Sequence, residues 1–170
     1  MKPADVIARA RACLGQSCRY GLGKGGMNPK ADWPWDSEVR LDCSGFVAWC
    51  LEVSRKTDNP WYVEQNGGWL ETSAIVRDCE TPFGFFALVN RTHAQPGDLL
   101  VYGDRKSAAT GKSVQGHVGI VTEADNRGPR RVIHCSRGSE RKYGDAIAET
   151  DTLWWSLADG IVARCAWVET

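Results

Sequence analysis

Cys43 sits in the run Leu41-Asp42-Cys43-Ser44-Gly45-Phe46-Val47, where an Asp and a Ser flank a thiol and apolar residues then recur at helical spacing at Phe46, Val47, Cys50 and Leu51. That pattern starts a helix at or just before Cys43, with Asp42 or Ser44 able to cap it. The unpaired N–H groups of a helix start favour thiolate over thiol, so the expected chemistry is a nucleophile in need of a base. A lone cysteine is more often a buried structural residue, and a nucleophilic reading therefore needs partners elsewhere in the chain. Only three histidines can supply a base: His93, His117 and His134. His117 and His134 open and close two β-type segments joined by Ala124-Asp125-Asn126-Arg127-Gly128-Pro129. In an antiparallel hairpin centred on Asp125 and Asn126 they face each other directly, with Cβ atoms about 5 Å apart. A base at His117, oriented by a polar side chain at His134, completes the nucleophile–base–orienter arrangement of covalent hydrolases. His93, beside the Gln95-Pro96-Gly97 turn, reads as a surface residue.

The elements that must position these groups follow from hydrophobic period and turn residues. A first helix runs from Pro3 to Leu14, stopped by Gly15. Tyr20-Gly21-Leu22-Gly23-Lys24-Gly25-Gly26 has no strand before it and no helix after it, which excludes a dinucleotide fingerprint. It reads as a sharply turning loop that lets something approach its backbone. The Cys43 helix extends to about Val53, and 56–66 is polar and turn-rich. A helix over 68–78 is expected to bury Leu70, Ile75 and Val76, with Trp69 a further candidate, and 83–89 is a short apolar helix or strand. Strands are expected at 99–102, 117–123, 131–135 and 161–168, with Gly103 to Gln115 a polar loop. Helices first and strands later predict an α+β fold with an antiparallel sheet, in one domain spanning 1–170.

Composition narrows the class. Hydrophobic residues make up 42% and charged residues 25%, as in ordinary soluble domains, and no apolar run is long enough to cross a membrane. Twenty-one basic and twenty-one acidic residues cancel, so no global field draws the chain to nucleic acid or to a membrane. The distribution is uneven: 103–142 holds nine Lys or Arg against four Asp or Glu. This reads as a solvated basic region, or as one that attracts a carboxylate-rich substrate. The seven cysteines are odd in number and lack C-x-x-C spacing, which argues against a zinc site or a full disulfide framework. Cys13, Cys50 and Cys165 fall in apolar periodic stretches and read as core. Asp5, Arg9 and Arg11 interrupt the N-terminal apolar run, so no standard signal peptide is expected there.

Taken in order, Tyr20-Gly21 with its following glycines, Asp42-Cys43-Ser44-Gly45-Phe46-Val47, Pro96-Gly97-Asp98-Leu99, Gly116-His117-Val118-Gly119-Ile120-Val121 and Ile133-His134 resemble the NlpC-type cell-wall endopeptidases, papain-like cysteine peptidases of bacteria and their phages. The resemblance implies a papain-like fold in which N-terminal helices carrying the catalytic cysteine pack on a C-terminal antiparallel sheet. It implies Cys43 as nucleophile, His117 as base and His134 as third catalytic residue, with Tyr20, Asp42 and Ser44 shaping the substrate pocket and no metal or organic cofactor. Two departures, the long 103–115 loop and Trp33-Pro34-Trp35, are expected to rim the cleft.

The implied activity is hydrolysis of peptidoglycan stem peptides at the bond between the γ-carboxyl of D-glutamate and diaminopimelate or lysine. An N-acetylmuramoyl-L-alanine amidase of related fold, a thioester acyltransferase and a non-catalytic wall-binding or phage tail component are the alternatives. The expected partner is peptidoglycan or a muropeptide, with a phage tail or secretion apparatus and a cognate inhibitor as further candidates. The chain is expected to be made in the cytoplasm and delivered to the wall by a phage or a specialised secretion system, or to act on imported muropeptides.

Overall fold

The computed structural model describes residues 1–107, 110–156 and 160–168. Its core element is the helix α2, Cys43–Cys50, whose residues are all buried. A helix apolar on every side is stable only when enclosed. The first helix α1, Pro3–Ala12, packs against one side of it, and a central β-sheet packs against the other. Asp42 is the N-cap of α2, and its Oδ1 accepts the Gly45 N–H at 2.9 Å. The helix ends earlier than the sequence period suggests. Glu52 turns to φ 56°, and the Val53 N–H closes back on the Ala48 carbonyl at 3.0 Å.

The short strands β1, Arg19–Tyr20, and β2, Arg40–Leu41, pair in parallel. The glycine loop between them folds over the start of α2. A Cβ on Gly26 would overlap the Gly45 carbonyl, and one on Gly45 would come within 2.7 Å of the Lys24 oxygen. What approaches this loop is therefore the backbone of the cysteine helix.

Two helices follow, α3, Pro60–Asn66, and α4, Thr72–Asp78. The first lies in the stretch read as turns. Its local signals are Asn59, which caps Trp61 N–H, Pro60 in the first turn and Gly67 at the C-terminal end. The second begins later than expected because the Glu71 side chain caps it.

Strands β3 (Phe86–Val89) and β4 (Leu99–Tyr102) are followed by the small hairpin β5 (Arg105–Lys106) and β6 (Ser113–Val114) inside the expected loop. Then come β7 (His117–Asp125), β8 (Gly128–Cys135), helix α5 (Arg137–Tyr143), β9 (Ile147–Asp151), the short helix α6 (Leu153–Ser156) and β10 (Ile161–Cys165). Sequence period did not announce α5 or β9. The main sheet is antiparallel throughout, with order β3-β10-β4-β7-β8-β9. Leu99, Val101, Val118, Ile120, Ile133 and Ala163 join the core shared with the helices, while Leu100, Val121, Val132 and Val162 pack with Trp155. The Gln95-Pro96-Gly97-Asp98 turn is fixed by Asp98, which accepts the Gln95 N–H and pairs with Arg164 at 2.7 and 2.9 Å. The layout is the expected α+β, papain-like one: helices carrying the cysteine packed on an antiparallel sheet.

Candidate active site

The hairpin of β7 and β8 turns on Asn126 and Arg127, with Asp125 paired to Gly128 and Ile120 to Ile133. The register thus differs by two positions from direct opposition of His117 and His134. Continuing the ladder places Gly119 opposite His134, and a Cβ added at Gly119 would lie 3.0 Å from that of His134. On the other side, His134 pairs with Ala148 of β9. Small residues on both flanks leave the His134 ring room to lean. A shift of two preserves the face, so both rings still meet: His117 Nε2 lies 2.8 Å from His134 Nδ1, with ring planes at 87°.

The proton positions in this pair follow from the next partner. Thr150, on β9, has its Oγ1 3.1 Å from His134 Nε2 and donates its hydroxyl proton to the Asp151 carbonyl at 3.0 Å. With that proton spent, Thr150 can only accept, so His134 carries its proton on Nε2. Its Nδ1 is then an acceptor for His117 Nε2–H, and the lone pair of His117 is left on Nδ1. A basic nitrogen at that position is what a general base requires.

Trp155 covers the pair. Its ring stacks on His117 at 4.9 Å and 25°, and meets His134 and Tyr102 edge-on. Burial pushes the His117 pKa down to about 3, with a further contribution from His134, and burial pushes His134 down to about 4. Both rings are neutral near pH 7.

Cys43 is 6% exposed. Burial, reinforced by the Asp42 carboxylate, pushes its thiol up to about 12, against the opposing pull of the Val118 and Ser44 N–H groups and Arg55. The helix start expected to yield a thiolate at rest therefore holds a neutral thiol, because desolvation outweighs the dipole. Val118, whose N–H acts on the sulfur, follows His117 directly in β7, so the sulfur lies beside the strand that carries His117. Among the described residues no hydrogen bond joins the sulfur to the His117 ring, as in many catalytic pairs before substrate binds. The structure thus presents a thiol at the start of α2 and a neutral imidazole at the start of the neighbouring strand β7.

A cleft of about 970 Å³ opens on the histidine pair, lined among others by Tyr20, Tyr102, Gln115, His117, His134, Arg137 and Trp155, while the buried Cys43 is not part of its lining. Of the three residues expected to shape a substrate pocket, Tyr20 lines the cleft. Asp42 and Ser44 do not: they are 1% and 4% exposed and lie buried on either side of Cys43 in the chain. Arg55 Nη2 donates to Asp42 Oδ2 at 2.6 Å and to Ser44 Oγ at 3.2 Å, and Gly23 N–H reaches the same Asp42 oxygen at 2.7 Å. Their role in the geometry is to lock the start of α2 to the glycine loop. Gln115 brings the long loop to the cleft, but Trp33-Pro34-Trp35 does not line it. Trp35 packs on the core, and Trp33 stacks on Trp35 at 4.8 Å. His93 is exposed in a short 3₁₀ turn, as read from the sequence. Thr150, Trp155 and Arg55 are the residues that sequence reasoning missed.

The CHAP domain, a cysteine/histidine-dependent amidohydrolase/peptidase family, matches residues 32–138, well over half of the chain. This match does not show the NlpC type specifically. No curated protein sequence matches the chain. Among solved structures, an N-acetylmuramoyl-L-alanine amidase from Bacteroides uniformis is similar at a TM-score of 0.51 and 14% identity, over 96% of this chain and 98% of that one. A likeness at that identity concerns the fold.

Proposed function

The chain belongs to the CHAP-domain family, and on that premise we propose that it is a cysteine-dependent hydrolase of peptidoglycan stem peptides, acting as one catalytic domain. The observation that carries this reading is the chain of hydrogen bonds from Thr150 through His134 to His117, which leaves His117 Nδ1 as proton acceptor on the strand beside Cys43. His117 takes the thiol proton as the sulfur attacks the amide carbonyl. The oxyanion of the tetrahedral intermediate takes a hydrogen bond from the Cys43 N–H, which at the first helical turn has no intrahelical partner. Collapse breaks the C–N bond, and His117 gives its proton to the leaving amine. Water, deprotonated by His117, then cleaves the thioester, and the proton returns to the sulfur. His134 keeps the His117 ring oriented and shares the imidazolium charge.

The bond we assign is that between the γ-carboxyl of D-glutamate and diaminopimelate or lysine. A second reading, cleavage between the lactyl group and L-alanine, draws support from the amidase among structures of similar fold. Mass spectrometry of purified muropeptides after incubation with the protein separates the two. New D-glutamate carboxyl ends support the first reading, and release of intact stem peptides the second. No cleavage by the wild type, with the Cys43→Ala protein as blank, would rule out both.

A further inference from the structure

A second cavity, of about 610 Å³, adjoins the catalytic cleft. It is lined by Arg19, Tyr20, Glu38, Arg40, Arg137, Glu140 and Arg141, so Tyr20 and Arg137 form a wall common to both spaces. Four guanidinium groups face two carboxylates. Glu38 is held by Arg40 at 2.6 Å, and Glu140 lies 3.8 Å from Arg19 while accepting the Tyr20 N–H at 3.1 Å. Arg137 and Arg141 are spaced four apart on α5 and so share a face. Among the described residues neither forms an ion pair with a carboxylate, and Arg137 lies over the Tyr20 ring, 5.6 Å from its centroid. The cavity therefore holds a surplus of two positive charges, borne by planar forks suited to bidentate capture of a carboxylate. It also accounts for part of the basic bias of 103–142.

We propose that this cavity is a binding subsite for a carboxylate of the peptide substrate, reached by a chain that crosses the Tyr20–Arg137 wall from the scissile amide. The proposal rests on the function assigned above and deepens it: the preferred substrates are peptides with a free carboxylate on one side of the cleaved bond. Tyr20 is the hinge of the arrangement, since it lines both spaces. A guanidinium on that ring holds Arg137 in place for the anion.

The test uses two stem peptides that differ only in whether the carboxylates beyond the scissile amide are free or carboxamidated. Wild-type kcat/KM should favour the free acid by tenfold or more, mainly through KM, and added salt should shrink the ratio. Arg141→Gln should lower the ratio, and Arg137→Gln with Arg141→Gln should bring it close to one. Arg141→Lys, which keeps the charge and loses the fork, should fall between. A ratio that stays at the wild-type value in the folded double variant, or that is near one in the wild type, overturns the subsite. If the wild type cleaves neither peptide, the assigned function fails and the subsite is judged by calorimetry on Cys43→Ala. Tighter binding of the acid that Arg141→Gln removes supports it. Equal binding of acid and amide, or none of either, overturns it.

Discussion

Nδ1 of His134 stands 2.8 Å from Nε2 of His117 although the two are not cross-strand partners. Each contact runs two places off the direct pairing: His117 reaches His134, which stands opposite Gly119, and His134 reaches past Ala148 to Thr150. The diagonal reach makes proton direction depend on the last member. Thr150→Val keeps the shape and removes the acceptor, so His134 is free to take the other tautomer. kcat should fall about tenfold to a hundredfold, the order expected when the orientation of a catalytic histidine is disturbed, with KM little changed. Thr150→Ser should restore most of the rate. Equal kcat for the Val and Ser variants would remove Thr150 from the relay.

Trp155, whose ring stacks on His117 at 4.9 Å, should govern the acid limb of the rate. As the proposed base, His117 works only when neutral, and its pKa is pushed down to about 3. Activity should therefore persist from pH 7 to pH 5 and fall only below that. Trp155→Ala lets water reach the ring and raises its pKa towards the ordinary value near 6.5. The variant should lose most of its kcat/KM between pH 7 and pH 5 while the wild type does not. A parallel drop at both pH values would make Trp155 a packing residue alone.

The same rings tie stability to pH. Unfolded histidines titrate near 6.5, whereas both folded rings are shifted below that, so the unfolded state binds more protons in between. Stability is complete above the unfolded value and is lost as pH falls through it. Asp78 acts in the opposite sense, because burial raises its carboxyl. For this reason the comparison needs a variant. Denaturant titrations at pH 7 and pH 5 should show a loss of about 2 kcal/mol per ring in the wild type, about 4 kcal/mol for the pair before the opposing Asp78 contribution, from shifts of this size. The loss should be smaller in His134→Gln. An equal loss in both proteins would assign it to other groups.

Arg55 and Asp42 form an ion pair at 2.6 Å with side chains 7% and 1% exposed. Arg55→Met strands a buried carboxylate at the cap of the cysteine helix and should cost about 3 kcal/mol in chemical denaturation. Asp42→Asn in the same chain should recover part of that, since Asn still caps the Gly45 N–H without a charge. The thiol should also respond. Asp42 raises its pKa and Arg55 lowers it, so alkylation of Cys43 should be slower in Arg55→Met than in the double variant. No recovery on adding Asp42→Asn would mean that the pair is not what holds the loop.

These residues divide what a sequence can announce from what it cannot. Asp42-Cys43-Ser44-Gly45 is local chemistry, a cap followed by an apolar helix, and it is legible because cap and thiol are adjacent. The face shared by His117 and His134 is legible too, since period two survives a register error of two. The register itself is not. It depends on a turn closed at Gly128, where φ is 113°, and on irregularities at Val121, Glu123 and Ala124 that compensate one another. Thr150 reaches the site only because β9 pairs with β8, and Trp155 only because α6 folds over the sheet. Both contacts are tertiary and leave no spacing rule in the chain. Arg55 lay hidden in a polar stretch, although Asn59, Pro60 and Gly67 just beyond it do spell a helix.

The Cys43 thiol should decide whether the exported protein harms a living wall. Fused to an export signal in a Gram-negative host, the wild type should lyse the cells, and Cys43→Ala should not. The substitution removes one sulfur at a helix start, so the two proteins should fold alike, and circular dichroism of both should coincide. A wall-binding module would act equally with or without the sulfur, so a difference between the two isolates hydrolysis from binding. Oxidation must be controlled, because all seven cysteines are free thiols here and Cys18 and Cys135 interact in the core. Trapping thiols from the exported protein shows whether Cys43 remains reduced. Lysis by the wild type alone fits the assigned chemistry. Harmlessness of both exported forms, each folded and reduced at Cys43, would exclude peptidoglycan as the substrate while leaving the thiol–imidazole pair to act on another amide.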